Sequence, residues 1–435
     1  MIATSICSLI AVFHCKIKWE DIEGQIARNI YGIAPSVIIL LLIGTLSGSW
    51  MVSGIVPSLI YYGLQVMQTD FFLVACCLLC SIVSVMPGSS WTTATIGIAL
   101  IGIGEAQGFS TGWVAGAIIS GAYFGDKMSP LSDTTVLAAS VTDTPLFTHI
   151  RYMLYTTVPS MIVTLIVFSI AGFSRETADA SQIAAFSEAL KGSFHITPWL
   201  MIVPIVTGIM IAKKTPSIVV LFASSILAGI FALIFQPNAL LEISGITDSG
   251  IIAYIKGLLM TFYDSTQIQT GNEALNSLVS TRGMAGMMNT IWLIICAMCF
   301  GGAMSASGML ESITRIFLHF MRGRTSMVAS TVVSGLSLNI CTADQFIAII
   351  LNSEMFKEVY KQRGFESRLL SRTTEDSVTV TSVLIPWTTC GMTQSTILGV
   401  STWTYFPYCV FNIVSPFMSI LIAATGYKIV QKTVK

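Results

Sequence analysis

Apolar stretches of about 20 residues, the length that crosses about 30 Å of hydrocarbon as a helix, recur from one end of this chain to the other. "YGIAPSVIILLLIGTLSGSW", "TVPSMIVTLIVFSIAGF", "PSIVVLFASSILAGIFALIF" and "MMNTIWLIICAMCFGGAMSASGM" are four of them. Only 10% of the 435 residues are charged and 54% are hydrophobic, against roughly 25% charged in a soluble domain. In a bilayer the backbone must satisfy its own hydrogen bonds, so only helices and closed barrels span it. Barrels show alternating segments of about ten residues, and these long apolar runs do not alternate. The expected fold class is an all-α polytopic membrane protein, with the lipid bilayer as its first partner.

Several function classes fall away. Formal net charge is zero, with no basic stripe for nucleic acid and no acidic tail for a basic partner. Cys77 and Cys80 have a CxxC spacing, but apolar residues surround them and no second Cys or His cluster answers, so they read as buried hydrophobes. His14, His149, His195 and His319 sit at segment ends and read as solvated interface residues. There is no Walker A loop, no HExxH and no set of nucleophile, base and orienter. An enzyme is not expected, and no cofactor.

Lys and Arg in short loops mark the cytoplasmic side of a membrane protein, and here they are segregated. Residues 16–28 carry Lys16, Lys18 and Arg28, whereas 65–70 and 102–110 carry none. In the second half the sign reverses: 265–281 has no Lys or Arg, 315–324 has Arg315, Arg322 and Arg324, and 357–372 is strongly basic. Corresponding loops, about 250 residues apart, thus face opposite sides, as an inverted-topology repeat requires. The expected division is a partial first helix and cytoplasmic loop over 1–28 and a first repeat over 29–150. Connecting helices fill 151–264, a second repeat 265–403, and a final helix with a cytoplasmic tail 404–435. Each repeat contains a re-entrant hairpin (about 71–101 and 326–352) and a discontinuous helix (about 111–140 and 368–400). The first hairpin breaks at Pro87 and Gly88. Helices at about 152–173, 196–212 and 216–236 join the repeats, with Lys213 and Lys214 in a cytoplasmic turn. Residues 237–264 are more polar and read as an interfacial helix. Lys428, Lys432 and Lys435 close the chain on the cytoplasmic side.

Four polar stretches interrupt the apolar runs: "GSSWTT", "GDKMSPLSDTT", "LNICTADQ" and "TTEDSVTVTS". Non-helical backbone at membrane depth is tolerated only where it lines a cavity or is buried in protein, and hard cations prefer oxygen ligands. Asp126 and Asp376 are taken to hold corresponding places in the two broken helices. A charge at the bilayer centre costs about 2.5–3.5 kcal/mol on insertion scales, so each reads as a carboxylate that binds a cation when ionised and a proton when neutral. Ser89, Ser90, Ser129, Asp133, Thr134, Asn339, Asp344, Thr379 and Thr381 are the oxygen donors expected around them. The bland readings are helix capping for the hydroxyls and a solvated cytoplasmic loop for the aspartates. Lys127 either snorkels or neutralises an aspartate, and Arg372 is placed at the interface. The spacings Gly112 to Gly116 and Gly121 to Gly125 allow close helix packing.

The motifs "GSSWTT", "SGAYFGDKMSPLSDTT", "EMFKEVYKQRG" and "SRTTEDSVTVTSVLIPWTTCG" resemble the NhaC-type Na+/H+ antiporters, a family that includes malate/lactate exchangers. The likeness runs from about Lys18 to near the end. It implies two inverted repeats, each with a re-entrant hairpin and a discontinuous helix, and Na+ and H+ as transported ligands. Val136, Val383 and Thr388 depart from the family pattern, which leads one to expect Asn, Pro and Asn there. The function expected is exchange of Na+ or Li+ for H+ across a bacterial inner membrane, by a homodimer. The rival is an exchanger of small carboxylates such as malate and lactate.

Overall fold

The computed structural model describes residues 1–435 except 68, 86–87, 174–179, 214, 247–249, 271–274, 277–278, 319–320, 322 and 432–435. Pro87, Lys214, His319, Arg322, Lys432 and Lys435 therefore lie outside the described residues. The described residues are predominantly helical, and the β contacts among them are two isolated bridges, Thr266 with Thr281 and Phe365 with Gln431.

The first half runs α1 (Ile2–Phe13), α2 (Trp19–Val52), α3 (Ile55–Val66), α4 (Phe72–Ser84), α5 (89–106), α6 (Thr111–Lys127), α7 (Asp133–Val141) and α8 (Leu146–Phe173). The connection contains α9 (Ala180–Ser193), α10 (Ile202–Ala212), α11 (Ser217–Phe235), α12 (Pro237–Ser244) and α13 (Ile251–Tyr263). The second half runs α14 (Met288–Ala306), α15 (Met309–Leu318), α16 (Arg324–Thr342), α17 (Gln345–Gln362), α18 (367–382), α19 (Thr389–Leu398), α20 (Thr402–Tyr405) and α21 (Val410–Thr425). Five helices among the described residues are long and apolar enough to cross a membrane, or up to seven if each bent pair counts as one span. Ile162, Ile166 and Ile170 on α8 are each more than half exposed at four-residue spacing, a continuous apolar stripe of the kind that water disfavours and lipid accepts.

Helix starts recur. α5, α6, α7 and α8 begin at 89, 111, 133 and 146, and α17, α18, α19 and α20 at 345, 367, 389 and 402, each pair 256 apart. The tips preceding α5 and α17 each hold a residue in the left-handed region, Gly88 (φ 88°) and Ala343 (φ 58°).

Several sequence expectations shift. Residues 16–28 are not a loop, because α2 already begins at Trp19; α17 likewise continues to Gln362, into the basic 357–372 stretch. "TTEDSVTVTS" is not where the second helix breaks: it lies in α18, with a π-turn at Glu375–Thr379, and the non-helical interval follows at 383–388. Proline explains the position, since Pro130 sits in the α6–α7 break and Pro386 in the α18–α19 break, again 256 apart, and its ring blocks continuation of a helix. At that spacing Asp126 corresponds to Ser382 and Asp376 to Ser120, so the two aspartates do not hold equivalent places. Residues 237–264 form two helices, and α9 was not anticipated.

The core is built on close backbone approach. A Cβ on Gly121 would lie 2.1 Å from the Cys77 carbonyl oxygen, and one on Gly125 2.2 Å from that of Ser81, so α6 packs against α4 where only glycine fits. The Ser84 hydroxyl reinforces the seam by donating to the Ala122 carbonyl at 2.6 Å. Gly116 bears on Tyr408 in the same way. These spacings therefore serve packing within one chain. Gly121→Val should lower the melting temperature in detergent, the overpacking costing about 1–3 kcal/mol, while Gly208→Val, at a site with open space around the glycine, should not. Equal effects of the two would contradict this packing.

Candidate functional site

α6 ends with Asp126 and Lys127, consecutive residues that turn to different neighbours because helix positions advance about 100° each. Asp126 faces the tip of the first hairpin. Its carboxylate accepts the Ser89 backbone N–H at 3.3 Å and the Ser89 hydroxyl at 2.9 Å, at the start of α5, where free N–H groups favour an anion. Gly88 allows this approach: it adopts a left-handed conformation and its Cβ position is 3.4 Å from Asp126 Oδ1. Asp126, Ser89, Ser90, Ser132, Asp133 and Thr134 line a cavity of about 350 Å³. Thr215 and Ser217, beside the Lys213 turn, and Gln345 and Phe346 at the second tip also line it.

Lys127 points the other way, into the protein, and is fully buried. Its ammonium forms an ion pair with Asp376 in the π-turn of α18. Asp376 also accepts the Thr156 hydroxyl of α8 at 3.1 Å, and the Arg372 guanidinium lies 3.9 Å from its other oxygen. Arg372 is not at an interface: it is fully buried, stacked 4.6 Å from the Tyr152 ring, and none of its nitrogens has a hydrogen-bond partner. Glu375, equally buried, accepts the Thr134 hydroxyl at 3.4 Å and has one oxygen without a partner. Two cations and two carboxylates thus form a compensated cluster, the arrangement that makes buried charge tolerable. Thr134 connects this cluster to the Asp126 cavity.

The remaining expected ligands divide by local need. Asn339 Nδ2 donates to the Val378 carbonyl at 2.7 Å and to the Thr381 hydroxyl at 3.2 Å, and Thr381 donates to the Ser377 carbonyl. A π-turn displaces carbonyls from the regular ladder, and these groups take them up. Asn412 does the same for Val380 at 2.8 Å. Asp344 caps α17, accepting the Phe346 and Ile347 N–H groups at 2.9 and 3.1 Å, and receives the Thr389 hydroxyl at 3.2 Å. Ser129 accepts the Leu131 N–H at 3.0 Å and shapes the α6–α7 break. The Thr379 hydroxyl is buried without a hydrogen-bond partner. The structure therefore gathers Asp126, Asp133, Thr134, Ser89 and Ser90 into one cavity, and leaves Asp376, Asn339, Asp344, Ser129, Thr379 and Thr381 off its walls.

Sequence reading missed Glu375 and Thr156, and placed His149 in solvent. His149 is buried, with Nδ1 2.6 Å from the Ser371 hydroxyl. The adjacent acidic pair "ED" was the available signal for Glu375. Removing either partner of the Lys127–Asp376 pair leaves an uncompensated buried charge, a loss of about 3–5 kcal/mol. Lys127→Met and Asp376→Leu should each destabilise the purified protein strongly, and the double variant by clearly less than their sum in thermal melts. Additive losses would show that the pair is not coupled.

Comparison with known proteins agrees with this architecture. The model of the Na+/H+ antiporter family matches residues 121–427. The Na(+)/H(+) antiporter NhaC of Bacillus subtilis is 34% identical over 407 residues, 93% of this chain and 87% of that protein. The malate-2H(+)/Na(+)-lactate antiporter of the same organism is 35% identical, over 94% of this chain and 85% of its own length. The Na(+)/H(+) antiporter NhaC of Alkalihalophilus pseudofirmus is 35% identical, over 97% and 89%. With its apolar spans and this match over most of its length, the chain is a multi-pass membrane protein and belongs to the Na+/H+ antiporter family.

Proposed function

We propose that this protein exchanges Na+ or Li+ for H+ across a bacterial cytoplasmic membrane by alternating access. The observation that carries the reading is Asp126: a carboxylate at the end of a broken helix, lining a cavity with Ser89, Ser90, Ser132, Asp133 and Thr134. These oxygens suit a hard monovalent cation. A carboxylate that holds the cation when ionised and a proton when neutral cannot carry both, which is the minimum chemistry of an antiporter. Asp376 serves differently, as the anchor for Lys127, and Glu375, through Thr134, is the second proton-accepting group. Na+ and H+ are cargo, and no cofactor enters the scheme.

The reading extends to the frame. The 256-residue recurrence of helix starts, with opposite charge on corresponding loops, supports two inverted repeats. The cavity's contact with the segment beside Lys213 supports access from the cytoplasm in this conformation. Bacterial relatives support an inner-membrane location. Assembly as a homodimer is part of the proposal and is read from the mass of the solubilised particle.

A second reading, exchange of small carboxylates coupled to the same ions, draws on the malate/lactate relative and on the buried guanidinium of Arg372, whose nitrogens make no hydrogen bond. Labelled malate uptake stimulated by lactate on the opposite side would favour it.

In everted vesicles energised by respiration, Na+ or Li+ should collapse the pH gradient, and Asp126→Asn should abolish that response while the protein remains folded. A wild-type response insensitive to Na+ would overturn the exchange reading. Because proton and cation compete, acid weakens Na+ binding: below the carboxyl pKa each unit fall in pH should raise the half-saturating Na+ concentration about tenfold. A half-saturation independent of pH would contradict competition at one carboxylate.

A further inference from the structure

A second cavity, of about 300 Å³, lies at the far end of α5. Its lining includes Ser47 of α2, Glu105 near the end of α5, Thr111 of α6, Arg282, and Thr396 and Gly399 around the end of α19. The first cavity touches the start of the same helix at Ser89, Ser90 and Trp91. α5 spans residues 89–106, and the second cavity begins on it at Ile98, seven residues past Trp91, about 10 Å along the helix at 1.5 Å per residue, so one helix runs from one cavity to the other. Glu105 lies in 102–110, and Ser280 and Thr281 end 265–281; neither stretch holds Lys or Arg, Arg282 being the one basic residue that follows on the lining, and such sparsely basic segments mark the external side. The first cavity meets the basic turn at Lys213. Between them α5 is tightly held at its π-turn, Thr93–Gly97: the Cβ position of Gly97 is 2.9 Å from Leu398 and 3.4 Å from Ile118.

Glu105 is the acidic group on this second cavity and Arg282 its basic one. The ion pairs among the described residues do not join them. A carboxylate in the apolar helix "IALIGIGEA" is costly at membrane depth without a partner or water, and a solvated vestibule supplies the water.

We propose that this cavity is the external vestibule of the exchange route, and that Glu105 receives the monovalent cation there in competition with Arg282. The proposal rests on the Na+/H+ reading for its ligand, and on the Lys and Arg distribution around the two cavities for its sidedness. Opening to the outside then consists of parting α5 from α19 at Gly97 and Leu398, while the Asp126 cavity closes at the other end.

Two measurements test it. Ser47→Cys should react with a membrane-impermeant thiol reagent in right-side-out vesicles only, and Thr215→Cys, on the first cavity, in everted vesicles only. Peptide mass spectrometry separates these sites from the native cysteines. Reaction of Ser47→Cys from the cytoplasmic face, or from neither face, overturns the vestibule whatever the substrate. In proteoliposomes of known orientation, Glu105→Gln should raise the half-saturating Na+ concentration on the external side about tenfold and leave the cytoplasmic value unchanged. Arg282→Gln should lower the external value, and Glu105→Asp should restore it. Equal changes on both sides, or none, overturn the role of Glu105. Absence of Na+ flux in the wild type overturns both that role and the exchange reading, and leaves the labelling result standing.

Discussion

A charge taken out of water must find a partner, and in this protein the partner of Lys127 decides the geometry of the site. The Lys127–Asp376 pair is fully buried and joins the end of α6 to the π-turn of α18, two helices that each break soon afterwards at a proline-containing interval. Because residues 126 and 127 project about 100° apart on a helix, fixing Lys127 toward α18 fixes Asp126 toward the hairpin tip. Asp126 therefore meets the N–H groups of α5 and the open cavity, not the buried cluster. One aspartate is spent on structure so that the other can face the route.

The glycine seams give this arrangement its stiffness. With Gly121 and Gly125 against the carbonyls of Cys77 and Ser81, α4 and α6 move as one body, and Asp126 moves with them. α5 carries a π-turn of its own at Thr93–Gly97, between the two cavities and packed on Leu398 and Ile118 at Gly97. π-turns store less regular hydrogen bonding than α-helix and are suited to a helix that must change its packing during a transport cycle. The other π-turn, Glu375–Thr379 in α18, is held by Asn339 and by Asn412 on the carbonyls of Val378 and Val380.

Much of this was legible before any coordinates. The spans 152–173, 196–212 and 216–236 follow from apolar length, and α8, α10 and α11 fall within a few residues of them. The break after Asp126 announced itself through Pro130 and its hydroxyls, and the tips through Gly88 and the polar "LNICTADQ". Polarity misled in the second half, where "TTEDSVTVTS" stays helical because its neighbours satisfy it; a hydroxyl bonding back to its own helix looks the same in sequence as one awaiting an ion. Arg372 and His149 were placed at the interface because sequence assigns charge to water by default, and only tertiary contact shows Tyr152 and Ser371 beside them. The Lys127–Asp376 contact spans 249 residues, a separation no local pattern encodes. α9 was missed because its composition, with Ser, Gln and Glu among the alanines, carries no span signal.

The central claim is that cation and proton share the Asp126 carboxylate. Calorimetric titration of purified protein with Na+, repeated in buffers of different ionisation enthalpy at a pH near the carboxyl pKa, measures protons released per cation bound. The account predicts that Na+ binding expels protons from the wild type and that Asp126→Asn neither binds Na+ nor releases them. Na+ binding without proton release, or release unchanged in Asp126→Asn, would contradict it.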